Sequence, residues 1–352
     1  MSNPVRIGLV GLGRAGWGMH LKELADKSDM FVITAACDII AERCEAMKAR
    51  FPECHTYENI EDLIADETVE MVSIATRSID HFAHAKMALQ AGKDVLIEKP
   101  MSMTYEQAAE LKRLSEEDDT CGHLYVRHNR RFEPDFLYVK ELIASGKLGR
   151  VFEIKLARNN YQRRDDWQTL SEFGGGQTLN WGPHIVDHAL RLLECEPRRI
   201  ISHLDHVTAG GDCDDHIKIL FEGENDRIID MEISGGCALP LPEYMLYGTR
   251  GACTITQGKA HLRYIDPAQN LKPVVSDPGT PVQSFGKSNT FKSAEVINWV
   301  EEDVSIPQSR LDEMWAYLYE SIREGKPYPI TLEEAVGVIK VIDDAKKASR
   351  FH

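Results

Sequence analysis

The chain has 352 residues, of which 43% are hydrophobic and 28% charged, and this size and composition predict a soluble globular protein of two domains. Its formal net charge of −15 argues against nucleic acid or an anionic membrane surface as the main partner, because both attract basic patches. No apolar run approaches the roughly 18 residues that span a bilayer, no secretion signal is visible, and the scattered cysteines lack zinc-site spacing, so we expect a cytoplasmic protein with no membrane partner and no metal.

The first 125 residues alternate short apolar runs with segments of helical periodicity. Strands are predicted at 6–10, 31–37, 71–75, 94–98 and 121–127. Helices are predicted near 14–27, 40–50, 58–65, 79–91 and 104–118. Buried strands separated by helices are typical of a doubly wound parallel sheet, so we predict an α/β first domain at residues 1–125.

The pattern changes in residues 126–352, where strands dominate as far as residue 265. Strands are predicted at 151–157, 200–207, 216–222, 227–234, 244–248 and 252–256. Helices are predicted near 133–145, 180–194, 309–324 and 331–349, with an exposed loop at 266–290. This pattern predicts a second, α+β domain whose large, mostly antiparallel sheet leaves one face open for substrate or another subunit.

The first strand runs directly into a glycine motif, RIGLVGLGRAGWG. In such a loop Gly11 permits a tight turn, Gly13 lets the backbone approach a pyrophosphate, and Gly16 allows the helix to pack closely on the strand. Arg14 and Ala15 lie between the last two glycines, where free N–H groups meet the positive end of a helix dipole. The motif therefore predicts an NAD(P)-binding Rossmann domain.

An acidic residue, Asp38, ends the second predicted strand. Its carboxylate can accept hydrogen bonds from the adenosine ribose and repel a 2′-phosphate, which favours NAD over NADP. Arg43 lies one helical turn further on, where an arginine can attract a 2′-phosphate. NAD is therefore the predicted cofactor, and NADP stays open as the second choice.

Two further segments carry a family signature, reading GKDVLIEKPM at 92–101 and GGGQTLNWGPHIVDH at 174–188. With the glycine loop, with NRRF and GKLG near the domain junction, and with GKPYPITLEEAVGVIKVID near the end, they resemble the glucose–fructose oxidoreductase / inositol dehydrogenase / MocA family. The resemblance implies a Rossmann domain plus an open-faced α/β domain, NAD(P) as cofactor, and oxidation or reduction of a sugar or polyol. It also implies homodimers or homotetramers that form through the open sheet.

Glu98, Lys99 and Pro100 match the family's Glu-Lys-Pro motif at the carboxyl end of a parallel strand, where open α/β sheets bind ligands. The resemblance makes Lys99 the catalytic lysine, which faces substrate and nicotinamide, and places Glu98 with the cofactor. An ammonium at this point can hydrogen-bond the carbinol oxygen and stabilise the alkoxide as hydride leaves. Burial would lower the pKa of the lysine and so permit proton exchange.

The second segment holds Asn180 and His184, where the family has an Asp and, four residues later, a His. The resemblance makes His184 the catalytic histidine, and its near-neutral intrinsic pKa suits a general acid/base. An amide cannot take up a proton, so Asn180 either orients a substrate hydroxyl or, since Pro183 favours a first helical turn, caps that helix. Asp187 also matches the family and is expected to orient or support the site.

Weaker matches extend the predicted site. Thr76 and His81 follow the 71–75 strand, where family members contact the nicotinamide half of the cofactor, and Tyr125 and Arg127 end the last Rossmann strand, where they would line the substrate cleft. The segment around Arg164 and Trp167 combines an aromatic ring with polar forks, which suits a sugar. An ordinary salt-bridged loop explains that segment equally well.

The sequence thus predicts hydride transfer between nicotinamide and a carbinol or keto carbon of a sugar, polyol or glycoside. Lys99 and His184 would handle the proton while Asn180 orients the hydroxyl. Two alternatives stay open: a redox-neutral, NAD-dependent enzyme that cleaves glycosides, and a non-catalytic NAD-binding sensor or scaffold.

Overall fold

The first sheet of the computed structural model, which describes residues 3–276, 278 and 295–351, has six parallel strands. They are β1 (Val5–Val10), β2 (Phe31–Cys37), β3 (His55–Tyr57), β4 (Met71–Ile74), β5 (Asp94–Ile97) and β6 (Leu124–Val126). Their order is β3-β2-β1-β4-β5-β6, with all neighbouring pairs parallel. The winding direction reverses between β1 and β4, where doubly wound folds bind dinucleotides. The fold prediction for this half is confirmed.

Helices cover both faces of this sheet. A π-helical turn (Gly16–His20) continues as α1 (Leu21–Leu24), followed by α2 (Ala41–Arg50), α3 (Ile60–Ala65), α4 (His81–Gln90) and α5 (Tyr105–Glu117). Apolar side chains of α3, α4 and α5 share one core, and those of α1 and α2 share another on the opposite face. The side chains of Asn59 and Thr104 cap α3 and α5, which explains where these two helices begin.

Eight strands form the second sheet. They are β7 (Val151–Asn159), β8 (Pro197–Asp205), β9 (His216–Gly223), β10 (Ile228–Ser234), β11 (Tyr244–Gly248), β12 (Gly251–Thr256), β13 (Lys259–Ile265) and β14 (Trp299–Ser305). Their order is β14-β13-β12-β11-β7-β10-β9-β8, and among the described pairs β7 with β10 is parallel and the others antiparallel. Buried and partly exposed residues alternate along β9 and β10, so one face lies open. The predicted open-faced sheet is confirmed.

Three helices pack against the inner face of the second sheet. They are α6 (Pro134–Ala144), α7 (Gln177–Asn180) and α8 (Gly182–Leu193). Ile185, Val186 and Ala189 of α8 are buried in the core that this sheet supplies. The opposite side of α8 carries polar side chains toward the first sheet. This arrangement places the α7–α8 segment at the junction between the two sheets.

The last two helices, α9 (Met314–Glu324) and α10 (Leu332–Lys347), return to the first sheet. Trp315 of α9 is buried with residues of β1, β2 and β4. One face of α10 joins the core of α5, and its other face, with Val338 and Ile342, joins the core of the second sheet. The helix therefore ties the two halves together. Among the described residues, no helix is long and apolar enough to cross a membrane.

The secondary-structure predictions from the sequence are weakest for three strands and for part of one loop. β3 is a three-residue edge strand without an apolar run, and β13 and β14 alternate charged and apolar residues at the other edge of the second sheet. None of the three was predicted. Residues 266–276 of the predicted loop contain no helix or strand, whereas 277 and 279–290 lie outside the described residues.

Candidate active site

The glycine loop after β1 has the shape that a dinucleotide needs. Gly11 has a φ of +91°, and a Cβ there would lie 2.6 Å from the carbonyl oxygen of Ala75. A Cβ on Gly16 would lie 1.9 Å from the carbonyl oxygen of Gly11, so the helix packs directly against the turn. Above Gly13 a Cβ would meet Arg43 Nη1 at 3.8 Å and no other described atom within 4 Å. The loop thus leaves open space over its middle glycine, which fits the approach of a pyrophosphate.

Asp38 lies at the ribose side of this loop. Its carboxylate accepts hydrogen bonds from the backbone N–H of Leu12 at 2.7 Å and of Ile40 at 3.0 Å. Arg43 Nη1 lies 3.1 Å from Asp38 Oδ2. Backbone N–H groups therefore orient the carboxylate, and Arg43, whose guanidinium lies near Gly13, partly neutralises its charge.

A buried charge network behind the loop holds Glu98. Its carboxylate accepts from His20 Nε2 and from Arg127 Nη1, both at 2.9 Å. Arg127 also donates to both oxygens of Glu23 at 2.7 Å, and Trp315 Nε1 donates to the same carboxylate. Burial by itself would raise the pKa of Glu98, but Arg127 and His20 outweigh it and the pKa falls below its ordinary value. The sequence gives no local signal for His20 or Glu23, since their partners are distant along the chain.

Two residues predicted for the cleft, Tyr125 and Arg127, lie inside the protein instead, which corrects their assignment. Arg127 is fully buried, and its Nη1 and Nη2 atoms donate hydrogen bonds to Glu98 and Glu23. Tyr125 packs its ring edge-on against Tyr328 in the core. These two side chains support the site from behind and do not line it.

His81 and Thr76 lie on the segment between β4 and α4. His81 is 2% exposed, with Nδ1 at 2.7 Å from the carbonyl oxygen of Pro100 and Nε2 at 3.3 Å from that of Thr76. The imidazole therefore braces the loop after β5 and has no free face for a nucleotide. Thr76 is partly exposed, and its hydroxyl lies 3.2 Å from His84 Nδ1.

Lys99 joins the two halves of the molecule. Its Nζ donates to the main-chain carbonyl oxygen of Asn180 at 2.8 Å, and the Lys99–Pro100 peptide bond is cis. The pKa of Lys99 is lowered to about 8, chiefly by burial; the charge of Glu98 opposes this, and those of Arg14 and Arg130 add to the lowering. At neutral pH the amine is thus close to the range in which it can exchange a proton.

His184 lies in the first turn of α8 beside Lys99. Its Nδ1 is buried and has no hydrogen-bond partner among the described residues. Burial, followed by the positive charges of Lys99 and Arg130, holds the pKa of His184 well below 6.5. The pKa of His184 therefore lies below the near-neutral intrinsic value of histidine, chiefly because burial disfavours the imidazolium. His184 is a neutral imidazole at physiological pH.

Asn180 ends α7 and does not cap α8. The capping residue of α8 is Trp181, which makes no side-chain capping bond, so the capping hypothesis is wrong. Asn180 Oδ1 accepts from Gln168 Nε2 at 3.4 Å. Gln168 in turn accepts a hydrogen bond from Arg164, whose guanidinium also pairs with Asp166 at 2.7 Å. The amide of Asn180 is thus connected to the segment that the sequence singles out for a sugar.

The same segment borders a small cavity of about 10 Å³, which has room for about one water molecule. Its walls include Arg164, Gln168, Gln177 and Asn180. The carbonyl oxygen of the Gln177 side chain is buried there without a hydrogen-bond partner among the described residues. Trp167 is partly exposed in a short 3₁₀ turn next to this cavity's Gln168.

Two residues that the sequence did not single out, His128 and Arg130, complete the site. His128 is 3% exposed, its ring centroid lies 6.4 Å from that of His184, and burial lowers its pKa to about 4. The guanidinium of Arg130 stacks over Trp181 at 4.3 Å from the ring centroid. Both follow β6 in the NRRF region, which served only as a family marker.

The remaining polar side chains of α8 are structural. Asp187 accepts two hydrogen bonds from Arg131 at 2.8 and 2.5 Å. His188 is buried between the hydroxyl of Tyr244 and the carbonyl oxygen of Arg130. In the described part of the chain, no group of His, Cys, Asp or Glu side chains has the arrangement of a metal site.

Comparison with known proteins agrees with this geometry. Residues 5–126 match the model of an oxidoreductase family with an NAD-binding Rossmann fold, and residues 136–254 match the model of the C-terminal domain of the same family. The chain belongs to the glucose–fructose oxidoreductase / inositol dehydrogenase / MocA family. As a member of this family it is an NAD(P)-binding oxidoreductase.

Individual relatives match from about two thirds to nearly all of the chain. A scyllo-inositol 2-dehydrogenase (NADP(+)) of Bacillus subtilis is 28% identical over 361 aligned positions, which cover 99% of this chain and 94% of that protein. An inositol 2-dehydrogenase of Acidothermus cellulolyticus is 28% identical, with 65% of this chain and 66% of that protein covered. The crystal structure of an NAD-binding protein from Listeria innocua is 25% identical, covers 98% of this chain and 96% of its own, and has a TM-score of 0.81.

Proposed function

We propose that this protein transfers a hydride between the nicotinamide of NAD(P) and a carbinol or keto carbon of a sugar, polyol or glycoside. The observation that carries the proposal is the meeting of Lys99, from the edge of the nucleotide-binding sheet, with the α7–α8 segment of the second sheet at 2.8 Å. The charge of Lys99 also lowers the pKa of His184, which supports a site that an amine and an imidazole from different halves share. The inositol dehydrogenases among the relatives act on cyclic polyols, which supports a polyhydroxylated substrate.

The bound nicotinamide would supply the hydride donor or acceptor, and the side chains would handle the proton and the orientation. Lys99 would hydrogen-bond the reacting oxygen and exchange its proton, because its pKa of about 8 makes both of its forms accessible near neutral pH. Neutral His184 would hold the same oxygen through one ring nitrogen. Asn180 would orient a neighbouring hydroxyl through its amide.

We propose NAD as the preferred cofactor, with NADP accepted less efficiently. Asp38 is buried at the ribose side of the loop, where it favours a free 2′-hydroxyl. Arg43, 3.1 Å from that carboxylate, offsets the repulsion of a 2′-phosphate. The Bacillus subtilis relative is named as an NADP(+) enzyme, which supports NADP as the second cofactor.

We also propose a cytoplasmic homodimer or homotetramer that forms through the open face of the second sheet. Lys218 pairs with Asp230 at 2.7 Å and with Glu232 at 3.3 Å on that face, so these charged side chains have partners within one chain. The same face of two copies can pair in a symmetric dimer. Light scattering coupled to size exclusion should give twice or four times the mass of the chain.

The test of the activity is a screen of sugars, polyols and glycosides for NADH or NADPH formation, followed by product analysis. Reduced cofactor formed in stoichiometric amount with a keto product supports the dehydrogenase. Glycoside cleavage without net reduced cofactor supports the redox-neutral alternative. Cofactor binding without any product across the panel would refute both catalytic proposals and leave the sensor or scaffold.

A further inference from the structure

The charged groups that surround Lys99 and His184 are predominantly positive. The guanidinium of Arg130 lies 4.3 Å from the ring centroid of Trp181, and that ring lies 6.0 Å from the ring of His184. In agreement with this placement, the charge of Arg130 lowers the pKa of both Lys99 and His184, and the charge of Arg14 lowers that of Lys99. The neighbouring carboxylate of Glu98 is already shared between His20 and Arg127 inside the protein. The site therefore presents hydrogen-bond donors and positive charge.

Arg130 is the cation best placed to contact a substrate. Its side chain is 27% exposed, and it is held in place by the ring of Trp181 and by one hydrogen bond to Glu133 Oε1 at 2.7 Å. Glu133 also accepts a hydrogen bond from Arg158, so two arginines share one carboxylate. A guanidinium has five N–H donors, and the contact with Glu133 uses one of them. Because Glu133 is shared, it does not fully neutralise Arg130. The guanidinium also has N–H groups that the contact with Glu133 does not use.

The polar groups around the site do not compensate this charge. Asn180 stands where a carboxylate is expected from the family motif, and the oxygen that holds Lys99 is a neutral main-chain carbonyl. The protein as a whole carries a net charge of −15, so its overall field repels anions and does not account for a positive cleft. Local positive charge in such a protein points to a ligand that needs it.

We propose that the substrate is an anionic carbohydrate or polyol whose carboxylate or phosphate group is bound by the guanidinium of Arg130, while Lys99 holds the reacting hydroxyl. This inference rests on the proposed hydride transfer and names its substrate class. The planar fork of arginine matches two oxygens of either group, and such charge-assisted pairs are the strong ones. Because Arg130 lies near both Lys99 and His184, the anionic group would belong to the sugar unit that is oxidised.

The experiment compares matched neutral and anionic substrates: D-glucose with D-glucuronate, D-gluconate and D-glucose 6-phosphate, and myo-inositol with its 1-phosphate. Turnover is followed by reduced cofactor for the wild type and for Arg130→Gln, Arg130→Lys and Arg198→Gln. Arg130→Gln leaves Glu133 paired with Arg158. Arg198 pairs with Glu222 on the surface and serves as the matched control.

We expect kcat/KM for at least one anionic compound to exceed that of its neutral counterpart by about tenfold or more, as a charge-assisted pair provides. Arg130→Gln should abolish this difference, mainly through KM, with Arg130→Lys in between and Arg198→Gln unchanged. The carboxylate and phosphate compounds then show which anion is used. Preference for a neutral compound, or an equal loss on both kinds in Arg130→Gln, overturns the inference.

If no compound is turned over, calorimetric titration of the NAD-loaded protein with the same panel separates the two proposals. Tighter binding of an anionic compound that is lost in Arg130→Gln would retain the anion site and remove the hydride transfer. No such preference would overturn the anion site.

Discussion

The amine of Lys99 donates to the main-chain oxygen of Asn180 over 2.8 Å, so this contact joins the lysine to the backbone of the second half of the molecule and not to a side chain. The contact therefore does not depend on the side chain at position 180. If Lys99 has the proposed role, an amide at position 180 in place of a carboxylate would alter the proton chemistry of the site and leave this contact in place.

Lys99→Ala should lower kcat by about 100- to 1000-fold, the range observed when a group that stabilises developing negative charge is removed. NADH affinity, measured by fluorescence titration, should change little because the glycine loop is untouched. Lys340, an exposed lysine paired with Asp344 on α10, provides the control Lys340→Ala. Near-normal turnover of Lys99→Ala would refute the assignment.

His184→Ala should lower kcat by about 100-fold, at the lower end for a residue of the acid–base site, because the neutral imidazole orients the reacting oxygen rather than carrying its charge. His184→Gln should recover part of the loss, since an amide can still donate or accept. Steady-state kinetics on one substrate decides this. Equal loss in both variants would instead assign the proton to the imidazole.

The pH dependence should follow Lys99. Oxidation of an alcohol needs the neutral amine, so kcat for oxidation should rise with pH through about 8, where the pKa of Lys99 lies, and level off above it. Reduction needs the ammonium and should fall over the same interval. In Lys99→Arg the inflection should vanish, because arginine stays protonated. An inflection near 6.5 that survives in Lys99→Arg would contradict this and point to a histidine.

Cofactor choice should depend on Arg43. Arg43→Ala should raise KM for NADP by about tenfold, since a charged hydrogen bond to the 2′-phosphate is lost, and should leave KM for NAD within about twofold. Lys48→Ala, at an exposed position of the same helix, is the matched control. A loss of equal size with both cofactors would show that Arg43 only stabilises Asp38.

Arg127→Met should destabilise the fold strongly. Among the described residues, it leaves the buried carboxylate of Glu98 with His20 alone and the partly buried carboxylate of Glu23 with Trp315 alone. Removing one partner of a buried ion pair typically costs about 3–5 kcal/mol of unfolding free energy. Urea denaturation should show this, whereas the surface variant Arg198→Met should cost about 1 kcal/mol or less. A small effect of Arg127→Met would place the side chain outside the stabilising network.

The sequence predicts the parts of the site that are local. Each glycine of the nucleotide loop, the Glu-Lys-Pro segment and the position of His184 are read from short motifs, because their geometry is determined within a few residues. The parallel sheet follows from apolar runs in the same way. The predicted strands and helices near these motifs agree with the structure to within a few residues.

The rest of the site depends on contacts between distant segments. From the sequence, Arg127 is expected to line the cleft. In the structure it donates hydrogen bonds to Glu23, 104 positions away, and lies in the interior. The pKa of His184 follows from Lys99 and Arg130, which belong to other segments of the chain. His128 carries no motif of its own, and its burial beside His184 arises only when the two halves meet. Such properties are set by tertiary packing, so a linear pattern does not contain them.

Because α10 is buried on two faces, it packs against elements that lie far from it along the chain. The predicted boundary near residue 125 falls within β6, the last strand of the first sheet, and a fragment cut there would also expose the apolar side chains of α5 that pack with α10. A chimera that exchanges nucleotide-binding halves between relatives must therefore carry the C-terminal helix along with the N-terminal half. Helix α10 thus completes a core whose other members all precede it along the chain.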